Sequence, residues 1–186
     1  MMIYPRSVAA VALFGFWAIE LFLRKGATAR SWKATLPDRG STAALIAAYV
    51  VVGTSLALPI AVIRLPVPAQ WAGAGLALVG FALRAIVFST LGSSYSRTLR
   101  VTENQELVTF GLYRHIRHPG YLSSLLIWGG AAVASGKGVA VLIVTTALVA
   151  AYGYRIRVEE GMLLKCFGER YQQYQARTWR LLPYIY

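Results

Sequence analysis

Five long apolar runs divide this chain, at residues 7–23, 42–63, 71–91, 120–136 and 138–154. Each is close to the ~20 residues that an α-helix needs to cross a hydrocarbon core about 30 Å thick. Runs of this kind, set apart by polar segments, predict an all-α, polytopic integral membrane protein with about five transmembrane helices. The last two runs are short and meet at Ser135-Gly136-Lys137-Gly138, which predicts a tight helical hairpin, with a re-entrant segment as the alternative. Segment 92–119 is too long for a simple turn. Its alternation at Leu99-Arg100-Val101-Thr102 suits a short extended piece within an irregular interfacial loop. Beyond residue 155 the pattern changes. Leu163, Phe167, Tyr171 and Tyr174 recur at helical spacing, with Lys165, Glu169, Arg170 and Gln173 on the other faces. This predicts an amphipathic C-terminal helix over about 156–175, lying on the membrane surface. Pro183 ends it. No linker or repeat divides the chain, so 1–186 reads as a single domain.

Composition supports that picture. Of the residues, 57% are hydrophobic and 14% charged, and the mean hydropathy is +0.54; a soluble domain of this length carries more charged surface. The charge also settles an orientation. Fifteen of the 19 lysines and arginines fall in segments 24–41 and 92–119 and in the tail from 155, whereas only Arg6, Arg64 and Lys137 lie on the opposite side. By the positive-inside rule the N-terminus is outside and the C-terminus cytoplasmic. The net charge of +12 then reflects topology and contact with anionic membrane lipids, and nucleic acid is not an expected partner. Glu20 stands late in the first run and Arg24 and Lys25 follow it, without a small-residue cleavage site, so that run reads as a span rather than a cleaved signal. The single Cys166 excludes an intrachain disulfide.

The candidate chemistry is concentrated in two polar blocks on the cytoplasmic side. The first, Arg114-His115-Ile116-Arg117-His118-Pro119-Gly120-Tyr121, ends where a span begins; the second, Arg155-Ile156-Arg157-Val158-Glu159-Glu160, follows the last run. Charge clusters bordering lipid sit at the interface or line a polar cavity, so the two blocks suggest one site for a polar, charged ligand. His118 precedes a proline, which turns the backbone away from α geometry, and Pro119 suits a first helical position. The amides that follow are then available to an anion. His115 and His118 are three residues apart, but two histidines, one cysteine and one aspartate make a poor metal set, and no metal is expected. Glu159 and Glu160 suit either surface pairing with the nearby arginines or a cationic group such as an amine or sulfonium. Arg84 lies in the middle of the third run and Glu20 late in the first. Both need partners, either as a structural ion pair or a backbone-bonded arginine, or with Arg84 facing a substrate. Gly73-Ala74-Gly75 lies inside a run and lacks the third glycine and preceding strand of a dinucleotide fingerprint.

The segments "ELVTFGLYRHIRHPGYLSSLL" (106–126) and "RIRVEEGMLLKCFGERYQQYQARTWRLLPYIY" (155–186) resemble the isoprenylcysteine carboxyl methyltransferase family, which is grouped with the phospholipid N-methyltransferases. The resemblance rests on Gly111, Tyr113, Arg117, His118, Pro119 and Tyr121; on Arg155, Glu159 and Glu160; and on Phe167, Gly168, Tyr171, Tyr174, Arg180, Leu181 and Pro183. It covers roughly the C-terminal half, and the first three runs match in hydropathy alone. Gly161 stands where close relatives often continue the acidic run.

The resemblance implies S-adenosyl-L-methionine as cofactor, bound on the cytoplasmic face in a half spanning about 92–186. It implies Leu112, Tyr113, Arg117, His118, Pro119, Tyr121, Glu159, Glu160 and Tyr171 as cofactor-binding residues. Arg84, Arg155 and Glu160 are the expected catalytic residues: an arginine to hold a carboxylate acceptor, or Glu160, with His118 as the other choice, to accept a proton from an amine. The reaction it implies first is carboxyl O-methylation of a prenylated cysteine, with a lipophilic substrate entering from the bilayer. N-methylation of an ethanolamine phospholipid and S-methylation of a small thiol are the enzymatic alternatives; a non-enzymatic membrane scaffold is the other. The sequence carries no signal for an oligomeric state.

Overall fold

Each of the five apolar runs becomes a helix in the computed structural model, which describes residues 3–27, 40–59, 63–91 and 107–183, with backbone alone over 21–27. In chain order these are α1 (Pro5–Ala27), α2 (Ser41–Ala57), α3 (Val67–Leu91), a 3-10 turn (Gly111–Arg114), α4 (Pro119–Ala134), α5 (Gly138–Phe167) and α6 (Glu169–Ala176). The described residues form no strand; two isolated backbone bridges join Arg64 to Lys137 and Ile116 to Trp179. By length and apolar content, α3 and α5 suffice to cross a membrane, and α2 is apolar but shorter.

Two boundaries depart from the sequence pattern. The run 42–63 does not make one long helix. α2 ends at Ala57, Leu58 turns extended (φ −69°, ψ 145°), and Pro59 follows, a combination that does not continue a helix. The separate amphipathic helix expected over 156–175 is also not found. α5 runs unbroken through the charged block to Phe167, Gly168 breaks it at φ +53°, and α6 is a short helix of 8 residues. The charges do not stop α5 because Arg155 and Glu160 are buried among partners rather than facing solvent. The alternating stretch at 99–102 lies outside the described residues, as do Arg30, Lys33, Arg39, Arg97 and Arg100.

The closest seam joins α3 to α4. A Cβ on Gly130 would lie 2.5 Å from the Ala77 amide nitrogen and 2.6 Å from the Gly73 carbonyl oxygen, so only glycine lets the two backbones approach this far. Ala9, Ala12, Ala74, Ala77, Ala131 and Ala134 form the small-residue core that brings α1 against the same pair. A larger core joins α1, α2, α4 and α5 through Phe16, Val52, Ile127, Trp128, Leu148 and Tyr152. Around this interior the outward faces are apolar: Phe14 is 77% exposed, and Val50, Val79, Ile86, Leu142 and Val149 are also exposed.

The α4–α5 hairpin turns tightly at Ser135-Gly136-Lys137, as the sequence predicts. It is clasped to the entry of α3, where Leu65 N donates to Gly136 O and Gly138 N to Ile63 O. Lys137 Nζ donates to the carbonyls of Leu56 and Leu58 at 2.6 and 2.7 Å, satisfying and neutralising the C-terminal end of α2. This clasp holds one end of the helices. The polar blocks meet at the other.

Candidate active site

Pro119 opens α4 at its first position with His118 as the preceding cap residue, because a fixed φ and a missing N–H suit the first turn of a helix. The His118 side chain makes no cap hydrogen bond. It is buried and faces α5 instead, with Nε2 3.4 Å from Glu160 Oε1 and Nδ1 3.7 Å from Glu159 Oε2. His115 is exposed, so the two histidines do not share a face.

Arg117, just before the cap, converges on Glu160. Its Nε donates to Glu160 Oε1 at 2.9 Å, and its Nη1 donates to the carbonyls of Gln175 (3.0 Å) and Thr178. Arg180 Nε donates to Glu160 Oε2 at 3.0 Å. The segment that carries Arg180 is itself strapped to the block before α4. Arg117 N donates to Trp179 O, His118 N to Arg180 O, and Trp179 N to His115 O, at 2.8, 3.0 and 2.9 Å. Glu160 thus ties α5, the entry of α4 and the C-terminal strap into one cluster.

Glu159 has a different setting. Tyr121 donates its phenol to Glu159 Oε2 at 2.5 Å, and Arg155 Nε donates to the same phenol oxygen at 3.0 Å. Arg155 Nη1 reaches Ser41 and Thr42 at the start of α2. The Tyr121 ring stacks on His118 and on Tyr152, at centroid separations of 5.6 and 5.0 Å. The Glu159 side chain remains 27% exposed against 7% for Glu160, so only one of the two adjacent carboxylates opens toward a ligand.

Glu160 lies beyond the apolar part of α5, which ends near residue 154. Burial alone would raise its pKa, but hydrogen bonds and charge from His118 and Arg117 prevail and hold it at about 2. Such a carboxylate is an anion throughout the physiological range and a weak base. Tyr174, on α6, donates to Tyr113 O at 2.7 Å. Burial pushes its phenol up to about 12 against the pull of Arg117, so it stays a neutral donor.

The fold therefore brings together Arg117, His118, Tyr121, Arg155, Glu159 and Glu160. Pro119 sets the direction of α4. Tyr171 is buried beside them on α6, and Tyr113 is reached through Tyr174. Leu112 contributes its carbonyl, which accepts from His115 N and Ile116 N. Arg84 is set apart. It forms a buried ion pair with Glu20, its guanidinium lies 5.2 Å from the centre of the Phe16 ring, and its Nη1 donates to Gly120 O at 2.9 Å. Arg180, Gln175 and Thr178 were not expected as site residues. The arginine belongs to a visible motif, but Gln175 acts through its carbonyl oxygen, which leaves no mark on side-chain pattern, and Thr178 through its carbonyl together with its hydroxyl.

Comparison with known proteins gives one consistent result. The model of the isoprenylcysteine carboxyl methyltransferase family matches residues 73–165. A probable protein-S-isoprenylcysteine O-methyltransferase of Oryza sativa subsp. indica is 31% identical over 119 residues, covering 62% of this chain and 62% of its own. The protein-S-isoprenylcysteine O-methyltransferase of Schizosaccharomyces pombe is also 31% identical over 119 residues, covering 62% of this chain and 50% of its own. The aligned region thus spans about half to three-fifths of the length of these curated relatives. A solved structure described as the eukaryotic intramembrane Ras methyltransferase, isoprenylcysteine carboxyl methyltransferase, shares the fold, with a TM-score of 0.65 at 24% identity over 96% of this chain and 64% of that one.

Proposed function

Because the chain belongs to the isoprenylcysteine carboxyl methyltransferase family, we propose that it transfers a methyl group from S-adenosyl-L-methionine to the carboxylate of a prenylated cysteine. The observation that carries this reading is the convergence of His118, Arg117, Glu159 and Glu160 where α4 begins. In this reading the chain is one membrane domain of five crossing helices, with the site and C-terminus cytoplasmic and the cofactor half starting near residue 92. The exposed apolar faces of α1, α2, α3 and α5 support it, as does the concentration of cations in the segments at the site end.

The donor set suits the cofactor. Glu159 offers a partly open carboxylate for an ammonium group. Among the described residues, Gly120 N is the amide of the first turn of α4 left to a carboxylate, because His118 N donates to Arg180 O, and Tyr121 N and Leu122 N donate to His118 O. The rings of Tyr113 and Tyr121 suit an adenine or a sulfonium, the latter by cation–π attraction. S-adenosylmethionine, when bound, supplies a methyl carbon already activated by its sulfonium. The work left to the protein is orientation and exclusion of water. Arg155, buried among the hydroxyls of Tyr121, Ser41 and Thr42, is the cation assigned to the acceptor carboxylate. Arg84, engaged by Glu20 and Gly120, is a positioning residue for the start of α4. Glu160 clamps the site through Arg117, His118 and Arg180.

A carboxylate acceptor needs no general base, whereas an amine does. Glu160, held near 2, is ill suited to that second task, which would fall to His118. The test is methyl transfer by the purified protein in lipid nanodiscs, offered a prenylcysteine, phosphatidylethanolamine or a small thiol. Transfer to the prenylcysteine is expected, with little change in rate between pH 8 and pH 6. Transfer to phosphatidylethanolamine, with a steep fall over that window, would overturn the proposal.

A further inference from the structure

Among the described residues, Tyr171 is the phenol of the site region that the network leaves over. Its residue is 1% exposed, and its hydroxyl is buried with no hydrogen-bond partner among the described residues. Leaving such a group unsatisfied is destabilising, so a buried orphan hydroxyl requires an explanation. Its position suggests one. Tyr171, Tyr174 and Gln175 are spaced i, i+3, i+4 on α6 and so share a face. Tyr174 on that face donates to the Tyr113 carbonyl, while Gln175 accepts from Arg117 through its backbone carbonyl. Through Tyr174 this face meets the block before α4, and Tyr171 lies close enough to Glu160 and Glu159 for their charges to act on it. The Tyr171 ring is braced by that of Tyr174, 5.9 Å away.

The surroundings narrow the ligand chemistry. Burial and then the charges of Glu160 and Glu159 keep this phenol protonated, well above its ordinary range. It therefore acts as a donor and needs an acceptor. A carboxylate in that place would face two glutamates. A neutral acceptor, such as a ring nitrogen or a sugar hydroxyl, would not. We infer that Tyr171 is a specificity-determining residue whose hydroxyl donates to a neutral acceptor on the nucleoside part of the methyl donor. This rests on the methyltransferase reading above.

The experiment compares wild type with Tyr171→Phe in detergent. Thermal unfolding without ligand comes first: the phenylalanine protein should be as stable as wild type or more so, because nothing among the described residues bonds the hydroxyl. A clear loss of stability would mean an internal partner and would overturn the inference. Affinities are then measured by displacement of radiolabelled S-adenosylmethionine. S-adenosylhomocysteine and methylthioadenosine, which lacks the amino-acid end, should both bind roughly three- to tenfold more weakly to the variant, the loss expected for one neutral hydrogen bond. A loss for S-adenosylhomocysteine alone would put the acceptor on the amino-acid end and sink the nucleoside assignment. Undiminished binding of both would sink the proposal while leaving the methyltransferase reading intact. Absence of any binding by wild type would end both.

Discussion

Glu159 and Glu160 are neighbours in sequence, yet their charges have different uses. Glu160 is enclosed by Arg117, His118 and Arg180, whereas Glu159 keeps an open side. Glu159→Gln is expected to retain the fold and weaken S-adenosylmethionine binding about ten- to a hundredfold, the loss of one charge-assisted contact of roughly 1.5–3 kcal/mol; titration calorimetry on the folded variant checks this. Glu160→Gln is expected to lower the unfolding midpoint instead. Its folded pKa of about 2 lies below the ordinary 4.5. The stability it adds is therefore complete above the ordinary value and lost as pH falls through 4.5 toward 2. The gap between wild type and Glu160→Gln should stay constant from pH 8 to pH 6 and narrow only below about pH 5; a gap that closes by pH 6 contradicts the assignment. Arg84 gives a second contrast. Removing one partner of a buried ion pair costs about 3–5 kcal/mol, while replacing both with apolar groups is often neutral. Arg84→Leu alone should therefore destabilise strongly, and Glu20→Leu with Arg84→Leu should recover most of the loss in thermal unfolding. The sequence showed which residues cluster by their motif spacing. It offered an ion pair for Glu20 and Arg84, which the fold forms across 64 residues, but it did not show the pairing of Arg180 with Glu160, which arises only through the fold.

Helix existence was legible in the apolar runs, and helix ends were less so. A charged block after an apolar run reads as the exit from a helix. Here 155–160 continues α5, because its polar side chains find partners in the site. The strap at 177–183 was invisible for a related reason: its backbone pairs with residues 115–118, more than 60 positions earlier, and periodicity registers only local order. What separates α5 from α6 is Gly168, at φ +53° and ψ −127°, a conformation nearly closed to other residues. Gly168→Ala should cost about 1–3 kcal/mol and tilt α6 away from Tyr113 and Arg117. Cofactor affinity should fall with it, although Gly168 itself contacts no ligand. Hydrogen exchange over 169–176 reads the displacement directly, and unchanged protection there would contradict it.

At the scale of the whole molecule, the clasp around Lys137 and the cluster around Glu160 lie at opposite ends of α5, 23 residues or about 35 Å apart along its axis. That separation exceeds a hydrocarbon core of ~30 Å, as a crossing helix requires. In a Cys166→Ser background, Arg64→Cys is expected to react with an impermeant thiol reagent on intact cells, and Arg177→Cys only after permeabilisation; the reverse pattern would invert the topology. The glycine contact between α3 and α4 bears on how such a molecule moves. Two backbones in direct contact have no side chains between them to rearrange, so this pair behaves as one stiff wall, and any opening wide enough for a lipid tail must occur along seams that side chains fill. A disulfide fixing α3 to α4 should leave turnover nearly unchanged, whereas one fixing α2 to α5 should slow it sharply and recover on reduction. The glycines that make the tightest joint would then determine, by elimination, where the door is.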